Sequence, residues 1–441
     1  MKLHGTMTVN SRGHLEIGGC DTVSLAGEFG TPLIVLDEAL IRETCRQYIE
    51  AFVKPYPGNQ VVYASKAFSS PAFCRIMAEE GVGLDVVSGG ELYFAIMSHF
   101  PAKNIFFHGN NKSPAELEMA LSHQVGYIVV DNADELKMLN SLAASLGVKP
   151  AVLLRITPGV EAHTHEYIQT GQIDSKFGFT LPNGQALAAV KSLADYPCLD
   201  FKGVHCHIGS QVFEMDSYAH TARIMFEFLV QIRQETGIVC PILNLGGGFG
   251  IYYTAEDRPA TIEDYAAAVM DTVKECAGKY NYPLPRVIIE PGRSIIGNAG
   301  TTLYTVGTIK TIPGFRKYVA VDGGMADNIR PSLYQAKYEA AIANKMNLPA
   351  EVTVSVTGKC CESGDMLIWD IELPQAERGD ILAVPSTGAY SYAMASNYNN
   401  LARPAVVLVR EGKADLIIER ESYEDLIRKH KIPARLQGRN L

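Results

Sequence analysis

Short runs of apolar residues, each ending in a polar or glycine-rich tip, recur along the first two thirds of the chain. In order they are VVYAS (61–65), GLDVVS (83–88), NIFFHG (104–109), YIVVD (127–131), AVLLRI (151–156), GVHCHIGS (203–210), ILNLGGG (242–248) and VIIEPGR (287–293). Runs of this length with little alternation are what strands buried on both faces look like. Between most of them apolar positions return at helical spacing, as in 70–80, 113–122, 133–146, 217–236 and 261–279. A further run, TPLIVLD (31–37), leads into a helical stretch over 38–52. Eight strands alternating with helices predict a parallel (β/α)8 TIM-type barrel over residues 31–300; a doubly wound open sheet is the competing arrangement.

After Gly300 the helical spacing stops. TTLYTVGTIKTI, KYVAVDGG, EVTVSVTG, MLIWDIEL, DILAVPSTG, PAVVLVRE and ADLIIER read as strands separated by Gly and Pro turns. Residues 301–441 are therefore expected to form a separate β domain, a sandwich or barrel. Residues 1–30, which alternate at Thr6–Val9 and His14–Ile17, are expected to join it, since lone strand edges are unprotected.

Composition narrows the function. With 441 residues, 47% of them hydrophobic, the chain can bury a large core in two domains. A net charge of −9 and the lack of a dense basic cluster argue against nucleic acid or a membrane surface as partner. No apolar stretch reaches signal-peptide or membrane-span length, so a cytoplasmic location is expected. Nine scattered cysteines without C-x-x-C spacing fit reduced thiols better than disulfides or zinc. Cys360 and Cys361 are adjacent in a polar, Gly-flanked segment.

In a barrel the C-terminal strand ends converge on one face, where the active site is built. Lys66, Asp85, Ser88, His108, Asn110, Asp131, Arg155, His205, His207, Gly246 to Gly248, Glu290 and Arg293 would meet there. An ammonium at the mouth of an apolar strand is poorly placed for solvent. It must be paired, neutralised or converted, for instance to a Schiff base with a carbonyl cofactor; the plain alternative is a lysine that snorkels out. Alternation puts His205 and His207 on one side of their strand, where an imidazole could lie on a planar cofactor, the two could hold a metal, or either could be a hydrogen-bonded core residue. No further ligands at zinc-like spacing accompany them. Three glycines at a strand end offer unobstructed amides to a phosphate, or make a tight turn; they do not form the dinucleotide G-x-G-x-x-G pattern. Glu290, emerging from a buried strand, needs a protonated partner, either Arg293 or a ring nitrogen.

Taken in order, ASKAF at Lys66, FHGNNKS (107–113), IDSKFGF (173–179), HIGSQ (207–211), GGGFG, EPGR, MADNIRPSLYQA (325–336), CESGD (361–365) and GAYSYAMASNYN (388–399) resemble the fold-type III pyridoxal-phosphate-dependent decarboxylases. The resemblance covers nearly the whole chain. It implies pyridoxal 5'-phosphate as cofactor, bound covalently by Lys66, with no metal. A histidine stacks on the cofactor ring in this family; the motif match favours His207, with His205 two residues earlier. Ser210, Gly247 and Gly248 would contact the phosphate, Gly292 and Arg293 would line the cofactor, Tyr390 would close over it and Glu290 would face the pyridine nitrogen.

The same resemblance implies that Arg293, Arg330 and Tyr334, with Tyr390, hold the substrate's distal end by its carboxylate. Glu362 would take the distal ammonium, and Cys361 would be the proton donor, CESGD coming from the other subunit of a homodimer. The implied reaction is decarboxylation of meso-2,6-diaminopimelate to L-lysine and carbon dioxide, the last step of lysine biosynthesis. Two arginines and a tyrosine beside one glutamate suit a ligand whose far end carries both charges, unlike ornithine or lysine. The alternatives are a decarboxylase of another basic amino acid, a same-fold racemase, and a non-catalytic relative. In the racemase an arginine usually faces the cofactor nitrogen, so Glu290 counts against it; a non-catalytic relative typically lacks the lysine, the glycines or CESGD. The chain departs from the family pattern in Cys360 beside Cys361 and in Gly323, where Ala is common.

Overall fold

The computed structural model describes residues 1–160 and 174–436, so that Ile173, the first residue of IDSKFGF, lies outside the described residues. The chain divides into two compact units, Ala39–Ala299 and Met1–Glu38 with Gly300–Leu441.

The first unit is a closed barrel of eight parallel strands: Gln60–Ala64, Gly83–Val86, Ile105–Phe107, Tyr127–Val130, Ala151–Thr157, Asp200–His205, Ile242–Asn244 and Arg286–Ile289. They fall on the eight apolar runs. Each pairs with the next, and the last closes on the first through Ile288 with Gln60 and Ile289 with Val61. Inside, Val62, Phe106, Val129, Leu153, Ile242 and Ile288 pack into one buried cluster. Each such side chain contributes about 1.5–3 kcal/mol by leaving water, and together they make the barrel a packed core beneath its polar strand ends.

Those ends are fixed because the residues that follow start helices. Ser70, Ser88, Ser113, Asn132 and Thr261 each accept a backbone N–H in the first turn of the next helix. Ser113 with Glu116, and Thr261 with Asp264, form reciprocal capping boxes. A cap of this kind stabilises a helix by about 1 kcal/mol and leaves the chain little freedom between strand and helix.

The second unit is mostly β-structure. One sheet runs in the order Met366–Leu373, Val352–Thr357, Arg316–Val321, Gly300–Ile312, Leu33–Asp37, Ala405–Arg410 and Lys413–Ile418. TPLIVLD, read above as leading into the barrel, is hydrogen-bonded here, antiparallel to Gly300–Ile312 and parallel to Ala405–Arg410. Thr8–Val9, Leu15–Ile17 and Cys20–Asp21 form a small antiparallel sheet of their own. Hydrogen bonds from Leu15 N to Ala343 O (2.8 Å) and from Gly412 N to Gly18 O (2.7 Å) tie that sheet to the rest of the unit. Gly19 sits at φ +77 with space for no side chain, since a Cβ would lie 2.8 Å from Gly412 N. Leu15, Ile17, Leu25, Leu33, Val35, Leu303, Val407 and Val409 share one buried core.

Candidate active site

Lys66 lies in a single helical turn, Ser65–Ala67, directly after the first barrel strand. It is the one exposed residue between Val61 and Phe68. The expectation of an ammonium poorly placed for solvent is therefore corrected. The chain turns as soon as the strand ends, so Ser65 and Ala67 bury and the lysine side chain swings clear. Burial raises the Asp85 carboxyl, against which the Lys66 charge pulls, and burial holds the His207 imidazole well below its usual range with Lys66 adding to the effect.

Glu290 follows the eighth strand and is buried. Its Oε2 accepts from His205 Nε2 at 3.1 Å and its Oε1 from Asn244 Nδ2 at 2.6 Å. His108 Nε2 lies 2.9 Å from Oε1, within ion-pair distance but not aligned as a hydrogen bond. Burial would raise the carboxyl's pKa, yet the His108 and His205 imidazoles outweigh it and hold the group well below the usual carboxylate range. Arg293, one of the two partners expected for Glu290, instead donates to Ser210 Oγ at 2.8 and 3.2 Å and to the Tyr253 hydroxyl. Pro291 and Gly292 end the strand, and Arg293 opens the short helix Arg293–Ile296.

The two histidines of the sixth strand part company. His205 is bound down to Glu290, its Nδ1 has no hydrogen-bond partner among the described residues, and burial lowers its pKa to about 4. His207 is half-buried, and its Nδ1 accepts the Gly247 N–H at 3.4 Å. Gly247 admits no side chain, because a Cβ would fall 2.0 Å from Glu290 O; Gly248, at φ +104, would meet Gly209 O at 2.3 Å. Unobstructed amides thus border an imidazole at the strand ends, and Glu290, with two aligned donors, keeps acceptor capacity for a third. These residues fit a planar heterocycle with a protonated ring nitrogen and an anionic tail.

Further strand ends join this cluster. His108 Nε2 is 3.8 Å from Asp85 Oδ1, and Arg155 Nε is 3.8 Å from Asp131 Oδ2, with its guanidinium 4.1 Å over the Phe177 ring. His108, His205 and Glu290 bring three ligand-type atoms within 4.8 Å of one another. Because the His205 N–H is directed at the carboxylate, the group reads as a carboxylate braced by imidazoles. Asn244 and Tyr253 were not singled out from the sequence. A buried asparagine in an otherwise apolar strand was a usable signal, since a buried amide needs partners; Tyr253 carried none.

In the second unit three of the quoted segments are hydrogen-bonded together. The Asp365 carboxylate accepts Met325 N at 2.6 Å and Cys360 N at 2.7 Å. Ser332 Oγ donates to Gly364 O (2.7 Å), Cys361 N to Asn399 Oδ1 (2.7 Å) and Ser396 N to Ala326 O (2.8 Å). Arg330 is buried and donates to the Tyr338 hydroxyl, and Tyr334 closes the same short helix, Arg330–Tyr334. Tyr390 is half-buried at φ +62. Cys361 and Glu362 are exposed, while burial and the nearby Asp365 push the Cys360 thiol to about 11. Gly323 has a local reason, since a Cβ there would lie 2.3 Å from the Tyr304 ring, whose hydroxyl donates to Asp327.

Residues 39–297 match the family described as "Pyridoxal-dependent decarboxylase, pyridoxal binding domain". The chain is 56% identical over 428 residues to a diaminopimelate decarboxylase of Bacillus subtilis, covering 97% of this chain and 98% of that one. It is 47% identical to the enzyme of the same name from Synechocystis, over 98% of this chain and 93% of the relative. Among solved structures, the diaminopimelate decarboxylase of M. jannaschii in complex with L-lysine superposes with a TM-score of 0.91 at 38% identity, covering 98% of this chain and 99% of that one.

Proposed function

This chain belongs to the pyridoxal-dependent decarboxylase family, and from that premise we propose that it converts meso-2,6-diaminopimelate to L-lysine and carbon dioxide, the last step of lysine biosynthesis. The observation that carries this reading is Glu290, a buried carboxylate kept charged by His108 and His205 at the strand ends that also bear Lys66 and the glycines. Pyridoxal phosphate, when bound, supplies an electron sink for the pair left behind as carbon dioxide departs, and a protonated ring nitrogen strengthens it. Glu290 holds the proton at that nitrogen.

The remaining assignments follow the family pattern. Lys66 binds the cofactor covalently. Gly247, Gly248 and Ser210 take its phosphate, Gly292 and Arg293 line it, and Tyr390 covers it. His207 faces the ring, because His205 is already engaged by Glu290. Arg330, Tyr334, Arg293 and Tyr390 receive the distal end of the substrate through its carboxylate, and Glu362 its ammonium. Cys361 delivers a proton to the carbon that loses carbon dioxide.

Cys361 and Glu362 stand exposed on their own unit, which supports a homodimer in which each subunit lends CESGD to its partner's barrel. A cytoplasmic location is in keeping with nine free cysteines and with the absence, among the described residues, of a helix long and apolar enough to cross a membrane.

Incubation of the loaded protein with meso-diaminopimelate, measuring lysine and carbon dioxide, tests the proposal; equal amounts of both are expected. Turnover of ornithine or lysine with none of diaminopimelate would make it a decarboxylase of basic amino acids. Interconversion of stereoisomers without carbon dioxide would make it a racemase.

A further inference from the structure

Of FHGNNKS, His108 has so far appeared as a neighbour of Glu290, and the rest of the segment has been given no part. The structure shows it as a rigid mount. His108 N still bonds to Val86 O at 2.8 Å, so the residue continues the third barrel strand. Behind it Gly109, at φ +117, turns the chain 3.2 Å from Val87 O, measured to the Cβ it lacks. The Lys112 ammonium is buried and donates to Gly109 O (2.8 Å), Val129 O (2.8 Å) and Glu135 Oε1 (2.7 Å). Asn132 Nδ2 holds Asn110 O at 3.1 Å, and Ser113 caps the next helix with Glu116, which also accepts Gly89 N at 2.7 Å. A loop tied to three neighbouring strand–helix units leaves the imidazole at its start little room to move.

That imidazole stands between two buried carboxylates, with Nε2 at 2.9 Å from Glu290 Oε1 and 3.8 Å from Asp85 Oδ1, and its ring packs edge-on to His205 at 4.7 Å. Two buried carboxylates near one another do not both stay charged unless a donor or cation lies with them. We infer that His108 is a positioning residue for the proposed decarboxylation, which keeps Glu290 anionic toward the cofactor's pyridine nitrogen. The inference rests on the cofactor reading above. Without His108 the proton affinity of Glu290 rises, and a protonated Glu290 no longer holds a proton on the ring nitrogen.

His108→Phe keeps the ring and removes the nitrogens; His108→Gln keeps a donor without the capacity for charge. The readout is the nitrogen-15 resonance of ring-labelled pyridoxal phosphate in the loaded, substrate-free protein at fixed pH. In the wild type it is expected in the protonated range. In His108→Phe it moves toward the unprotonated range, in His108→Gln less far, and kcat falls about tenfold or more with KM changed much less, as for other outer partners of a functional group. Should His108→Phe fail to take up cofactor, His108→Gln decides by the same resonance. An unchanged resonance at full occupancy, whatever happens to turnover, would show a brace of the fold and overturn the inference. A wild type that neither takes up cofactor nor forms lysine would overturn the functional reading, and the inference with it.

Discussion

Glu290 in the barrel unit and Asp327 in the β unit are both buried, and burial alone would push either acid upward. They end in opposite states. Glu290 has two imidazoles and an amide donor around it and is held well below the usual range. Among the described residues Asp327 accepts from the Tyr304 hydroxyl and the Gly324 amide, with Asp365 and Asp322 nearby as like charges, and burial raises it to about 7. Imidazole and amide donors hold the first carboxylate down against burial, whereas like charges beside the second add to what burial does. The surroundings repeat the difference. The barrel cluster is built to hold charge, whereas in the β unit Asp365, Ser332 and Asn399 fasten backbone and leave Cys361 and Glu362 outside.

The sharpest test of the barrel side is Lys66→Ala, which should remove the cofactor's visible absorbance and nearly all turnover, since the proposed function gives this amine the one covalent role. Borohydride fixing the cofactor to another lysine would break the assignment. Next in size is Glu290→Gln, expected to cost a factor on the order of a hundred or more in kcat; because a carboxyl held below its usual range stabilises the fold when ionised, the melting temperature should fall as well. Asp327→Asn should leave turnover nearly as it is; a loss matching that of Glu290→Gln would erase the contrast between the two acids.

Arg330→Ala should lower kcat/KM for diaminopimelate by the equivalent of about 2–5 kcal/mol, the cost of one buried charge-assisted contact, with cofactor uptake intact. Unchanged kinetics would remove Arg330 from the distal-carboxylate site and favour a substrate without that group. A further effect is on stability. An acid raised on folding, as Asp327 is from 3.8 to about 7, favours the folded state fully below its unfolded value and loses that contribution as pH rises through the folded one. The Asp327 contribution to the unfolding free energy should therefore fall between pH 4 and 7 by up to roughly 4 kcal/mol, and the wild type should lose stability relative to Asp327→Asn over that range. Parallel curves for the two proteins would contradict it.

Much of this was legible in the sequence. Eight apolar runs bounded by Ser, Asn, Gly and Pro name their own strands, since nothing else that short stays buried on both faces. The tips of those runs name the residues that meet, given a barrel. What stayed hidden depends on partners far away in the chain. TPLIVLD reads as a strand, but its pattern does not say that it pairs with 300–312 and 405–410. Glu290 shows a need for a positive neighbour, yet only the closing of the barrel reveals that His108 and His205 stand beside it while Arg293 turns to Ser210. The exposure of Lys66 follows from one turn of backbone after its strand, which no side-chain pattern encodes.

In the proposed homodimer the charge-holding cluster of one barrel works with the exposed Cys361 and Glu362 of a second subunit. Mixing Lys66→Ala and Cys361→Ala proteins under conditions of subunit exchange tests it most directly. Random exchange makes about half the molecules hetero-dimers, each with one doubly defective site and one intact site, so roughly a quarter of wild-type activity should return. If Cys361 serves its own barrel, every site carries one defect. No recovery, with exchange verified by a mass label, would contradict the account.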